Sequence, residues 1–260
     1  MYYQGNGIYQ YLLQHDLCGR YFWTSGNLWT LLYANSDGTP AALCFASRVE
    51  SEEELTMPPT PEETRAFQTF ALLARQAELP LFSIRFVGSG DHSCEKFFFR
   101  EYHGGEPGRL ITPGQLLDWL KDQGLNIQST TTEKEINNCS SSSFHDWQRE
   151  HMGKSVIAVD LDLMRVGDGR IDALYELKRS WMSLDRWKPF ESDRANYLAQ
   201  LHLAQRAGAD FQVVYNVRRT EPELIDDVSQ LKIFSLDRGW PADELKECAI
   251  EKFFSQEENV

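Results

Sequence analysis

No run of apolar residues in this chain reaches the roughly 18 needed to cross a bilayer as a helix. The five cysteines, at 18, 44, 94, 139 and 248, never form a Cys-x-x-Cys pair. Their odd number and scatter argue against a disulfide framework and a zinc site, and favour a reducing cytoplasm. Residues 1–7 lack the basic-then-apolar order of a secretory leader, so no leader is expected. His145, His151 and His202 have no metal-ligand spacing and are expected to serve packing or polar surface. Positive charge is also scarce. With 26 Lys/Arg against 39 Asp/Glu the net charge is −13, which disfavours tight binding of long duplex nucleic acid by charge alone.

What is present is the composition of an ordinary globular protein, 42% hydrophobic and 12% aromatic over 260 residues. That length suits one large domain or two small ones. The charge is uneven. Between Lys154 and Thr220 there are 11 Lys/Arg against 9 Asp/Glu, leaving 15 against 30 elsewhere. Arg179, Arg186, Lys188 and Arg194 in this stretch are candidates for a phosphate track; a merely less acidic solvated face is the bland alternative. Trp181, Trp187 and Phe190 form an aromatic cluster beside them. Stacking on an unpaired base and closing a core are both open to it, with Trp187 the candidate nucleic-acid contact.

The stretch with most chemical content runs from Val156 to Ser180. Two β-type runs flank an Asp168-Gly169-Arg170 loop, and alternation places Asp160 and Asp162 on one face of the first strand. Glu176 and Lys178 share a face of the second. With glycine free to take positive φ, a three-residue loop sets Asp162 opposite Glu176 and Asp160 opposite Lys178. Facing carboxylates repel unless a cation lies between them, and hard oxygen ligands suit Mg²⁺ or Mn²⁺. The pattern reads as a metal-dependent phosphoryl-transfer site, with a charged surface hairpin or a plain Lys178–Asp160 salt bridge as the simpler reading.

The first half repeats this layout without its charges. Residues 31–48 align without gaps on 162–179, sharing Asp-Gly, Ala-Leu and the final Arg. Leu31 stands for Asp162, Trp29 for Asp160, Phe45 for Glu176 and Ser47 for Lys178. A helix near residues 67–77 and a strand at 81–87 mirror a helix near 192–207 and a strand at 211–217. Further on, Lys96–Glu101 and a helix opened by Thr112-Pro113 match Lys232–Asp237 and a helix expected from Trp240-Pro241. Self-similarity at about 130 residues suits a duplicated domain better than a solenoid; two unrelated units with generic patterning are the alternative. A copy without the acids binds no catalytic metal, and its hydrophobic replacements are expected to fill the old pocket. Residues 129–143, polar and serine-rich, read as a linker between units at 1–128 and 144–260. The acidic, proline-rich stretch 50–63 reads as an exposed crossover into a helix capped by Thr60.

Asp followed on the next strand by Glu-x-Lys resembles the PD-(D/E)xK nuclease superfamily. The resemblance covers roughly residues 140–220: a helix at 144–151, the hairpin, a helix from about Ser192 to Ala207, then a strand. Its departure is the missing proline before the first acid, where Val159 or Leu161 stands. The resemblance implies an α/β fold of the restriction-endonuclease type, a mixed sheet flanked by helices. It implies Asp162, Glu176 and Lys178 as catalytic residues. Asp162 and Glu176 would hold Mg²⁺ or Mn²⁺, joined by Asp160 and, from the preceding helix, Glu150. The reaction implied is hydrolysis of DNA phosphodiesters. Two alternatives stay open: a silent member of the fold that binds nucleic acid or protein, and a regulator whose acidic first half meets a protein partner, mimicking DNA.

Overall fold

The computed structural model describes residues 6–88, 94–102, 107–128, 142–219, 225–237 and 239–256. Helix α1 (Gly7–Gln14) and a two-residue strand β1 (Tyr21–Phe22) lead into β2 (Leu28–Asn35), β3 (Pro40–Val49) and α2 (Pro61–Ala77). Strands β4 (Leu81–Val87), β5 (Phe97–Glu101) and β6 (Arg109–Ile111) follow, then α3 (Pro113–Asp122). After α4 (Ser143–His151) come β7 (Val156–Asp160), β8 (Leu163–Gly167), β9 (Arg170–Ser180) and α5 (Arg194–Ala207). The chain closes with β10 (Asp210–Arg219), β11 (Ile225–Ser235), β12 (Asp243–Ala249) and α6 (Ile250–Gln256).

Local signals account for several of these boundaries. Thr60 and Thr112 each precede a proline at the first helical turn. Each closes a capping box, with Glu63 and Gln115 respectively, so that two orphan helix donors are satisfied at each end. β2 and β3 are buried almost throughout, as strands covered on both faces must be.

These elements form two six-stranded sheets of matching order, β6-β5-β4-β3-β2-β7 and β12-β11-β10-β9-β8-β1. Only β3/β4 and β9/β10 are parallel pairs, and each is joined by a helix, α2 or α5, because a parallel neighbour needs a crossover. Those two helices lie between the sheets. Phe70, Leu73 and Ala74 of α2 share a core with Tyr197, Leu203 and Ala204 of α5 and with inner residues of both sheets. Helices α3 and α4 cover the outer face of the first sheet, and α1 and α6 that of the second.

The terminal strands are exchanged. β7 belongs to the second half of the sequence but pairs with β2, and β1 belongs to the first half but pairs with β8. Their helices travel with them: Phe144 and Trp147 of α4 pack under the first sheet, and Ile8 and Leu12 of α1 under the second. A cut at 128–144 therefore leaves each sheet with strands from both sides of it. Without β7 and β1, β2 and β8 would each present an unpaired edge.

Two other expectations differ. Residues 243–249 form β12, antiparallel to β11, and the last helix begins only at Ile250; pairing along a free edge overrides the helical start read at Trp240-Pro241. The expected linker lies outside the described residues, except that Ser142 caps α4 and Ser143 begins it. Among the described residues no helix is long and apolar enough to cross a membrane.

Candidate functional site

The β8–β9 hairpin turns through Asp168 and Gly169, with φ of 49° and 73°. Two consecutive positive φ values make a two-residue hairpin loop, not the three-residue loop expected. An extra residue between the pairs Arg165–Ala173 and Val166–Ile171 restores the register. Leu163 thus faces Tyr175 and Met164 faces Leu174, and one more step of the same register brings Asp162 beside Glu176. The contact is direct at the backbone, since the Leu177 N–H donates to Asp162 Oδ2 at 2.8 Å.

Asp160 is not where alternation along one strand placed it. The run Val156–Met164 breaks at Leu161-Asp162, where the chain steps from the first sheet to the second. Asp160 pairs in register with Leu31, and its carboxylate lies 3.5 Å from His145 Nε2, not against Lys178. Thr30 fixes the step by exchanging two hydrogen bonds with Leu161, through its backbone carbonyl and its hydroxyl. Asp160 nevertheless borders the same cavity as Asp162, Glu176 and Lys178, a space of about 260 Å³.

Inside that cavity the charges are organised around Glu176, which is buried. Its Oε1 lies 2.8 Å from Lys178 Nζ, and its Oε2 accepts from Gln200 Nε2 at 2.7 Å. Lys178 also lies 3.4 Å from Asp193 and 5.4 Å from the centre of the Tyr197 ring. Burial works against the ammonium, but Glu176, Tyr197 and Asp193 together outweigh it and hold the Lys178 pKa above its ordinary value. Lys178 is therefore charged at any working pH. Asp162 goes the opposite way. Burial, then repulsion from Glu176, pushes its pKa well above the ordinary carboxylate value, against the Leu177 N–H bond.

The second sheet draws part of this site from the far end of the chain. The Tyr9 hydroxyl donates to the Asp162 carbonyl at 2.7 Å, and Asn6, the cap of α1, borders the cavity. The exchange of α1 with α4 places them there. It also removes Glu150, which is exposed on α4 and does not line the cavity, because α4 turns Phe144, Trp147 and Gln148 into the other sheet.

Gln200, Asn196 and Asp193 were missed as site residues. The signal was in the spacing. Asp193, Asn196, Tyr197 and Gln200 recur at i, i+3, i+4 and i+7, one stripe of a helix, and a polar stripe on a buried helix needs polar neighbours.

The expected nucleic-acid contacts divide into two groups. Arg186, Lys188 and Arg194 are exposed, Arg194 within 3.4 Å of Glu191. Arg179 borders the cavity but is tied to Asp226 at 2.7 Å, with Arg218 at 2.8 Å from the same carboxylate. Trp187 is 1% exposed and stacks on Tyr215 with ring centroids 4.1 Å apart; it closes the core and offers no face to a base. Trp181, 75% exposed just beyond β9, and Phe190, 47% exposed, are the members of the cluster left at the surface.

Among the described residues no three His, Cys, Asp or Glu side chains converge as a metal-ligand group. Asp162 and Glu176 alone are an all-oxygen pair whose mutual repulsion a cation would relieve, and they fit a hard divalent ion whose remaining ligands are water. No family model matches the chain, nor does any curated protein. Among solved structures, a sex pheromone precursor from Lactobacillus salivarius subsp. salivarius UCC118 aligns at 13% identity and a TM-score of 0.18, over 81% of this chain and 63% of that one. The precursor of sex pheromone staph-cAM373 aligns at 9% identity and a TM-score of 0.17, over 94% and 90%. Scores this low carry no inference about fold or function.

Proposed function

We propose that the protein is a metal-dependent nuclease that hydrolyses DNA phosphodiesters, built as a duplicated restriction-endonuclease-like fold with one live site. The observation that carries this reading is the register bringing Asp162 beside Glu176, with Lys178 next on the same face and all three bordering one cavity. The matching strand order of the two sheets, with a helix crossover at the same parallel pair, supports the duplication.

Asp162 and Glu176 would hold Mg²⁺ or Mn²⁺, with Asp160 bordering the same cavity. Bound there, the ion would supply Lewis-acid stabilisation of charge on the scissile phosphate. The chain's own residues do the rest. Gln200 and Lys178 fix the Glu176 carboxylate in one orientation. Lys178, fixed and charged, presents its ammonium where charge builds on a phosphate oxygen and orients the attacking water. Asp193 and Tyr197 keep that ammonium from swinging away.

One observation favours the other class, a silent protein of this fold that binds nucleic acid or a partner. Both Glu176 oxygens already have partners within the chain, as in a finished structural ion pair. One experiment separates the two readings: a panel of single-stranded, duplex and branched DNA and RNA incubated with Mg²⁺, Mn²⁺ or EDTA, comparing wild type with Glu176→Ala. The nuclease reading expects cleavage that EDTA abolishes and the variant lowers roughly 10²–10³-fold, as when one transition-state-stabilising group is removed. A folded wild type that cuts nothing leaves the binding reading. Equal cutting by the variant sinks the site assignment.

A further inference from the structure

The first sheet carries a cavity of about 390 Å³, larger than the one around Glu176. Residues 57–77 align without gaps on 187–207, which sets Met57 against Trp187, Pro59 against Pro189, Glu63 against Asp193 and Phe67 against Tyr197. The strand registers extend the match. Ser47 faces Arg85, which faces Phe98; Lys178 faces Tyr215, which faces Lys232. Arg85 thus occupies the place of Tyr215.

In the second half that space is full. The Trp187 indole lies flat on Tyr215, with an interplanar angle of 1°, and meets Phe234 edge-on. In the first half the residue in the place of Trp187 is Met57, and it is 53% exposed at the border of the cavity. The space it leaves is the cavity, bordered by Phe45, Phe67, Phe98, Tyr102 and Arg85. Phe67 stands edge-on to both Phe45 and Tyr102, so the wall is ordered. Arg85 is buried, and its donors are engaged at their edge by both Glu63 oxygens and the Met57 carbonyl. A guanidinium bonded in its own plane offers the cavity a face, and that face stacks on aromatic rings.

We propose that this cavity binds a nucleobase, stacked over Arg85 in the place Trp187 takes over Tyr215. A planar nitrogen heterocycle matches the slot in shape, and Gln68, Ser83 and Arg100 at its border suit the donors and acceptors of a base edge. The base comes either from a free nucleotide or from an unpaired position of a strand. The proposal does not require Asp162, Glu176 or Lys178 to cut anything.

Two probes distinguish the sources: 2-aminopurine nucleoside monophosphate, and a single-stranded oligonucleotide with one 2-aminopurine, both titrated in EDTA. Stacking quenches the fluorescence of whichever probe enters. Met57→Trp and Ser83→Phe plug the slot from its loop and its floor, and each should weaken binding at least tenfold. In the wild type, amide hydrogen exchange in β4 and β5 should slow at probe saturation while β10 and β11 stay as they were. Quenching by the free nucleotide alone assigns the pocket to free nucleotides, and quenching by the oligonucleotide alone assigns it to a strand. Quenching of neither probe, unchanged exchange at β4 and β5, or undiminished binding by a folded plugged variant overturns the proposal.

Discussion

In the second sheet a buried glutamate and a lysine two residues along the same strand face a helix that supplies Asp193, Asn196 and Gln200. In the first sheet Phe45 and Ser47 hold those two strand positions, and the matching helix supplies Glu63, Ala66 and Phe70. The sheets have one strand order and one crossover, so this fold does not need the charges at Glu176 and Lys178. The polar network also moves: where Asp193 meets Lys178 on its parallel neighbour β9, Glu63 meets Arg85 one strand further over, on β4. One carboxylate at the helix start is common to both, and the cation it meets differs. Beside Phe45 and Ser47 the first half has an open space next to Arg85. Beside Glu176 and Lys178 the second half has the matching space plugged with the Trp187 indole.

The largest effect to be seen in this comparison is on stability. Trp187→Ala removes a fully buried indole stacked on Tyr215 and should cost about 3–5 kcal/mol. Met57→Ala, at the aligned position, trims an exposed side chain and should stay within about 0.5 kcal/mol. Urea unfolding of both variants at constant m-value is the measurement. Similar losses at the two positions would mean that Met57 packs as Trp187 does and that the slot beside Arg85 is closed in solution.

Next in size is an effect on rate. Lys178→Met keeps much of the side-chain volume but removes the ammonium, and should slow metal-dependent cleavage roughly 10²–10³-fold. Ser47→Ala at the matched position breaks one hydroxyl bond to Glu63 and should leave the rate unchanged. Single-turnover kinetics on the best substrate of the panel decides it. A Ser47 variant as slow as the Lys178 one would contradict the assignment of a single live site.

Much of this architecture was legible from residues alone, and what escaped has physical causes. The hairpin register survived an error in its loop, because the bulge near Asp172 adds back the residue that the two-residue turn omits. The break at Leu161-Asp162 left no trace. Val156–Met164 alternates without a glycine or proline to mark it, and the switch of sheet is set by β2, more than 120 residues earlier, offering an edge to β7. That switch sent Asp160 to His145 and Glu150 to the surface, and it brought Asn6 and Tyr9 to the site. Trp187 was open to stacking on a base or to closing the core, and the choice is made by Tyr215 and Phe234 on strands later in the chain. Pattern reading succeeds within an element and fails where distant elements decide.

The smallest expected effect bears on Asp162, the acid that aligns with Leu31 of the first half. Asp162 has a folded-state pKa raised by burial and by Glu176. Below the unfolded value of about 3.9 both states carry the proton, and the stability linked to that proton is fully present. It is lost as pH rises from there toward the raised folded value, so at neutral pH the buried acid weighs against the fold. Asp162→Asn keeps an oxygen to accept the Leu177 N–H and removes the charge. The variant should melt a few degrees above wild type at neutral pH, on a scale of roughly 2–4 °C per kcal/mol, and the gap should close as pH falls toward about 4. Millimolar Mg²⁺ or Mn²⁺ should then raise the wild-type melting temperature by mass action and leave the variant where it was. A gap that does not change with pH would mean that the Asp162 carboxylate is well solvated, and the repulsion that argues for a cation beside Glu176 would be gone.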